Sequence, residues 1–82
     1  MEIKEIRECI ASILDDLNEL LPPEDINEVK YYIKYNELQI SIEMLCDFIS
    51  DSGVIIPEKI SSKIKMISKK LNISDRYWGD LP

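Results

Sequence analysis

Apolar residues recur along this chain at the three- and four-residue spacings of helices, in blocks separated by proline, glycine or polar joints. In the first block Ile3, Ile6, Ile10, Ile13, Leu14, Leu17 and Leu21 form one stripe. Glu2, Glu5, Glu8, Asp15, Asp16 and Glu19 take the other faces. The pattern predicts a helix from about Glu2 to Leu20, stopped by Pro22-Pro23, neither of which has an amide hydrogen to donate. Pro23 suits the first turn of a second helix, and Glu24 and Asp25 suit its positive end. Ile26, Val29 and Ile33 give that helix a short apolar face, with Tyr31, Tyr32 and Tyr35 near its end. Lys34-Tyr35-Asn36 is then a joint, or the bend of a continuous helix.

A third helix is predicted from about Glu37 to Asp51, with a core stripe of Leu38, Ile42, Leu45 and Ile49 and with Cys46 and Phe48 at its margins. Ser52-Gly53 ends it, glycine being the usual residue just past a helix. Val54-Ile55-Ile56 reads as an extended link too short to build a sheet. Pro57 and Glu58 open a fourth helix with the stripe Ile60, Ile64, Ile67 and Leu71, and Lys69 and Lys70 suit its negative end. Ser74 or Asp75 caps one last turn carrying Tyr77 and Trp78, and Trp78 covers an end of the bundle. The expected fold is all-α, a compact bundle of four helices with a short C-terminal helical turn, in one domain spanning residues 1–82.

Composition adds direction. Charged residues make up 32% of the 82 positions and hydrophobic ones 45%, the balance of a folded domain. No apolar run approaches the roughly 18 residues of a membrane span. The start of the chain lacks the apolar core of a signal peptide, so a cytoplasmic location is expected. Cys9 and Cys46 then read as small buried thiols rather than a disulfide.

The net charge of −6 is unevenly placed. Residues 1–51 hold 13 acids against 4 bases, and residues 52–82 hold 3 acids against 6 bases. An acidic front half opposes direct contact with nucleic acid and favours a basic partner, because complementary charge speeds and orients encounter. Acids also serve simply to keep a protein in solution, and charge alone leaves both readings open.

Candidate chemistry is sparse. The chain has no histidine, the commonest general base and metal ligand. Two isolated glycines cannot form a phosphate cradle. Asp47 and Asp51-Ser52-Gly53 resemble a fragment of a calcium loop, but the alternating ligands and closing glutamate are missing. No catalytic residue, metal or cofactor is expected, and no small-molecule substrate.

The third helix carries the more telling constellation. Glu43, Asp47 and Asp51 are spaced by four and stack along one side, where like charges repel. Ile40 points between Asp47 and Asp51 on a helical wheel, and Met44 lies between the acidic column and the core. An apolar residue among carboxylates can be an anchor inside a charged rim, and methionine adapts to a partner surface. The alternative is a central helix with its acids solvated at the edge. The tyrosines divide in the same way: at least one packs on the core, and the others offer contact area and a hydroxyl.

These residues also carry a resemblance. Glu37, the run Ile40-Ser41-Ile42-Glu43-Met44-Leu45-Cys46-Asp47-Phe48-Ile49, Asp51 and the Ile56-Pro57 step into a basic helix resemble the small immunity proteins of the MafI type and of related contact-dependent growth inhibition systems. Leu71-Asn72-Ile73-Ser74-Asp75, Tyr77-Trp78 and Leu81 extend the likeness, which covers about the C-terminal half. The family often has glycine before the glutamate and alanine at the position of Ser41, where this chain has Asn36 and Ser41.

The resemblance implies a bacterial cytoplasmic protein that binds the C-terminal nuclease domain of a cognate toxin, one to one, and blocks it. The toxins are often RNases, including the EndoU type, and a tRNase is a related expectation. An RNase site is basic because it holds phosphates, so an acidic surface can occupy it. The expected contact residues are Glu37, Ile40, Glu43, Met44, Asp47 and Asp51, with Tyr32 and Tyr35. Two other readings compete: an acidic helical adaptor of another cytosolic protein, and a DNA-binding helical domain using the basic helix at 57–71. The whole-chain charge opposes the second.

Overall fold

The computed structural model describes residues 1–82 and contains helices only. In chain order they are α1 (Ile3–Leu17), α2 (Pro23–Lys34), α3 (Leu38–Ser52), α4 (Glu58–Lys70) and the short α5 (Asp75–Trp78). This is the expected four-helix bundle with a C-terminal turn. α1 packs mainly on α4, and α2 folds back on α3 as a hairpin. α5 lies against α3 and α4. One core joins all of it, with Ile10, Ile13 and Leu17 of α1, Val29 of α2, Ile42 and Leu45 of α3, and Ile64 and Ile67 of α4 fully buried. The Cα radius of gyration is 11.3 Å, close to the roughly 12 Å of a packed chain of this length.

Each helix ends for a local reason. α1 stops at Leu17, earlier than the stripe predicts. Pro22 biases Leu21 away from helical geometry, and the chain tightens so that the Leu20 and Leu21 amides both donate to the Leu17 carbonyl, at 2.9 and 3.1 Å. Leu21 still reaches the core. Ile3 does not: it is 62% exposed. It sits in the first turn, and helical side chains tilt toward the N-terminus, so Ile3 overshoots the end of the bundle.

α2 and α4 end alike. Asn36 and Asn72 stand just past each helix in the left-handed region, with φ of 58° and 57°. After α2 the Glu37 amide donates to the Tyr32 carbonyl and Asn36 to Ile33, at 2.9 and 3.0 Å. After α4 Ile73 donates to Ser68 and Asn72 to Lys69, at 2.9 and 3.2 Å. This is the Schellman closure, with asparagine in the place glycine usually takes. It resolves the 34–36 region as a joint and not a bend. Gly53, φ 68°, closes α3 as expected. Pro57 stands at the cap of α4 with Glu58 as its first helical residue.

The C-terminal turn is held by specific bonds. The Ser74 hydroxyl accepts the Arg76 amide at 3.4 Å, so Ser74 is the cap. The Trp78 indole donates to the Ile73 carbonyl at 2.9 Å, and its half-buried ring packs on the core under Lys69. Ser61, buried on α4, donates to the Pro82 carbonyl at 2.8 Å. A Cβ on Gly79 would meet the Asp75 carbonyl oxygen at 2.6 Å, so the chain passes too close there for any side chain.

Candidate functional site

The expected contact residues fall in three places. Glu43 and Asp47 lie on the flank of α3 that faces α5, where Arg76 stands opposite. The Arg76 guanidinium donates to the Tyr77 hydroxyl at 3.2 Å and lies 4.9 Å from that ring's centre. Its charged form is favoured first by Tyr77 and then by Asp47 and Glu43, which places both acids within its field. Glu43 and Met44 are half-buried, and Met44 packs against the core. Asp51 is exposed in the last turn of α3.

Ile40 and Glu37 belong to a second place. They line a shallow groove with Ile3 of α1 and Lys70 of α4. Ile40 is 41% exposed, an apolar surface residue as the wheel predicts, but its neighbours across the groove come from other helices. Gln39 ties this edge of α3 to the end of α4 by donating to the Leu71 carbonyl at 2.6 Å.

The tyrosines make the third place, on the outer face of α2. Tyr31 packs edge-on against Tyr32, centroids 5.4 Å apart, and tilted against Tyr35 at 5.1 Å. Tyr31 and Tyr35 are 57% and 58% exposed, whereas Tyr32 is half-buried. Lys34 stands 5.7 Å from the Tyr35 ring centre. Glu24, Asn27 and Glu28 line a shallow groove with Tyr31 and Tyr32. The face therefore presents aromatic area beside carboxylates. Tyr31, Glu24 and Glu28 were not among the expected contact residues. Their signal was available, since positions 24, 28, 31 and 35 run at helical spacing on the side away from Ile26, Val29 and Ile33.

Both thiols are free. Cys46 is buried, and burial, with Asp47 and Glu43 nearby, pushes its pKa up to about 12. Half-buried Cys9 is raised by burial while Lys63 pulls it down. Neither site favours thiolate. No group of three or more Cys, Asp or Glu side chains is placed to hold a metal ion. Lys63 pairs with Asp16 at 3.1 Å and joins α4 to α1, leaving Lys65, Lys69 and Lys70 along the outer side of α4 with the exposed Met66. The carboxylates of α1–α3 and the ammonium groups of α4 thus form two differently charged regions. No helix is long and apolar enough to cross a membrane.

Comparison of the chain with models of protein families, with curated proteins and with solved structures finds no match in any of the three.

Proposed function

We propose that this chain is a protein-binding inhibitor, an immunity protein that neutralises a basic nuclease toxin by covering its active site in a one-to-one complex in the cytoplasm. The observation that carries the reading is the outer face of α2, where exposed Tyr31 stands beside Glu24 and Glu28 and packs against exposed Tyr35. Tyrosine supplies large contact area at low entropic cost, and carboxylates complement a surface built to hold phosphate. The excess of nine negative charges in residues 1–51 supports fast, oriented encounter with a cation-rich partner. The absence of histidine and the raised thiols support a role in binding rather than catalysis. The resemblance of α3 and the C-terminal turn to MafI-type proteins supplies the toxin as the partner.

The test is capture of the tagged chain from cells that carry its native genomic neighbourhood, with the bound protein identified by mass. A stoichiometric basic nuclease domain, whose activity the chain abolishes in a purified assay, is the expected result. Capture of a non-toxic protein instead, at the same stoichiometry, overturns the immunity reading and installs an adaptor.

A further inference from the structure

The link between α3 and α4 has main-chain groups without a hydrogen bond in the chain, those of Ile55 being the exposed ones. Residues 54–57 form no helix, turn or bend, and Ile56, preceding Pro57, is biased toward extended backbone. The Val54 amide donates to the Ser52 hydroxyl at 3.3 Å, but the amides of Ile55 and Ile56 and the carbonyls of Val54, Ile55 and Ile56 make no hydrogen bond within the chain. Side chains alternate as on a strand: Ile56 is buried, and Ile55 is 88% exposed, the most exposed large apolar residue of the molecule. Alongside runs a cleft of 360 Å³ between the second half of α3, this link and the C-terminal residues Asp80–Pro82. That is within the size range of ligand sites, and an unpaired extended segment is a template for another strand.

We infer that this cleft receives an extended, cationic segment of a partner protein, which adds as a strand along Val54-Ile55-Ile56. An added strand bonds alternate residues, so the amide and carbonyl of exposed Ile55 would give the main-chain pair, and the Ile55 side chain would cover an apolar side chain of the guest. Charge selects the guest. Asp47 and Asp80 line the cleft, and its one cation, Arg76, already lies on Tyr77. A second copy of this chain is disfavoured as the guest, because pairing the two links would bring Asp47 and Asp80 of both copies together at a net charge of −6 each. The inference goes beyond the immunity reading and does not need the partner to be a nuclease.

The probe is a capped peptide, Lys-Val-Lys-Val-Lys-Val, titrated to millimolar concentration into the isotope-labelled full chain and followed by amide NMR. The expected result is shifts around the cleft and slowed hydrogen exchange centred on the Ile55 amide. The same peptide with alternate backbone nitrogens methylated, and its Glu-Val counterpart, should bind at least about tenfold more weakly. Ile55→Pro removes one amide from a segment that is already extended, and should also lose about tenfold. Should that variant not fold, the methylated peptide carries the same test. Shifts scattered over the acids of α1–α3, equal binding of the methylated peptide, or no shift at Ile55 would each overturn the inference. A captured toxin that binds Ile55→Pro as tightly as the parent would remove this docking mode and leave the immunity reading standing.

Discussion

Two acidic surfaces of this molecule look alike in one dimension and differ in three. The flank of α3 bears Glu43 and Asp47, and the outer face of α2 bears Glu24 and Glu28. On α3 a second element has closed in: α5 sets Arg76 opposite the acids, and Glu43 and Met44 are half-buried. On α2 nothing stands opposite, and Tyr31 and Tyr35 remain open. A column of like charges is therefore not in itself a binding face. Its meaning depends on what the rest of the chain places across from it, because a charged side chain from another element changes the field that a partner meets.

The largest effect expected from this contrast concerns toxin binding. If the α2 face is the anchor, Tyr31→Ala with Tyr35→Ala should weaken the complex by about 2–4 kcal/mol, seen as a faster dissociation rate. Asp47→Lys with Asp51→Lys should cost less and act mainly on the association rate. The reverse order, measured by surface-based kinetics on folded variants, would move the site to α3.

Stability should separate the same two regions in the opposite sense. Trp78→Ala removes a half-buried ring and the indole bond to Ile73, and should cost about 2–3 kcal/mol in denaturant unfolding. Tyr31→Ala alone should change stability by no more than about 0.5 kcal/mol. A Trp78→Ala variant as stable as the parent would mean that α5 does not hold against α3.

Cys46, beneath the α3 flank, offers a titration. Its folded pKa is raised to about 12 from 9.0. The raised value means that folding favours the neutral thiol. Its contribution is complete below about pH 9 and is lost as the pH climbs toward about 12, by up to roughly 1.4 kcal/mol per pH unit in that window. Melting temperature should fall more steeply there for the parent than for Cys46→Ala. Equal slopes would show Cys46 to be open to water. A disulfide reagent at neutral pH should modify Cys9 well before Cys46.

The smallest effects distinguish two buried serines of α4. Ser61 donates to the Pro82 carbonyl, whereas the hydroxyl of Ser68 has no partner. Ser61→Ala should cost about 1 kcal/mol by releasing the C-terminal residues, and Ser68→Ala should be neutral or slightly stabilising. Thermal melts of the two variants give the comparison, and a loss at Ser68 as large as at Ser61 would reveal a partner for it.

The helices, their order and most of the core follow from local pattern, because a buried stripe must repeat with the helical period and proline and glycine must stand where the backbone cannot continue. Leu17, Ile42, Leu45 and Ile64 were legible for that reason, and so was Gly53, whereas residues 34–36 read as a joint or a bend. The two asparagine closures were not legible, since asparagine takes the left-handed conformation only as one option among several. Ile3 misled because periodicity does not say where the neighbouring helix ends.

The candidate site was legible only in part. The exposure of Ile40 follows from its own helix. That Arg76 lines one cleft with Asp47 does not, because the two are remote in sequence and meet only through the packing of α5 on α3. Local pattern decides which face of a helix turns inward, and tertiary structure decides which charges on the outward faces still lack a partner, since that depends on distances between residues remote in sequence.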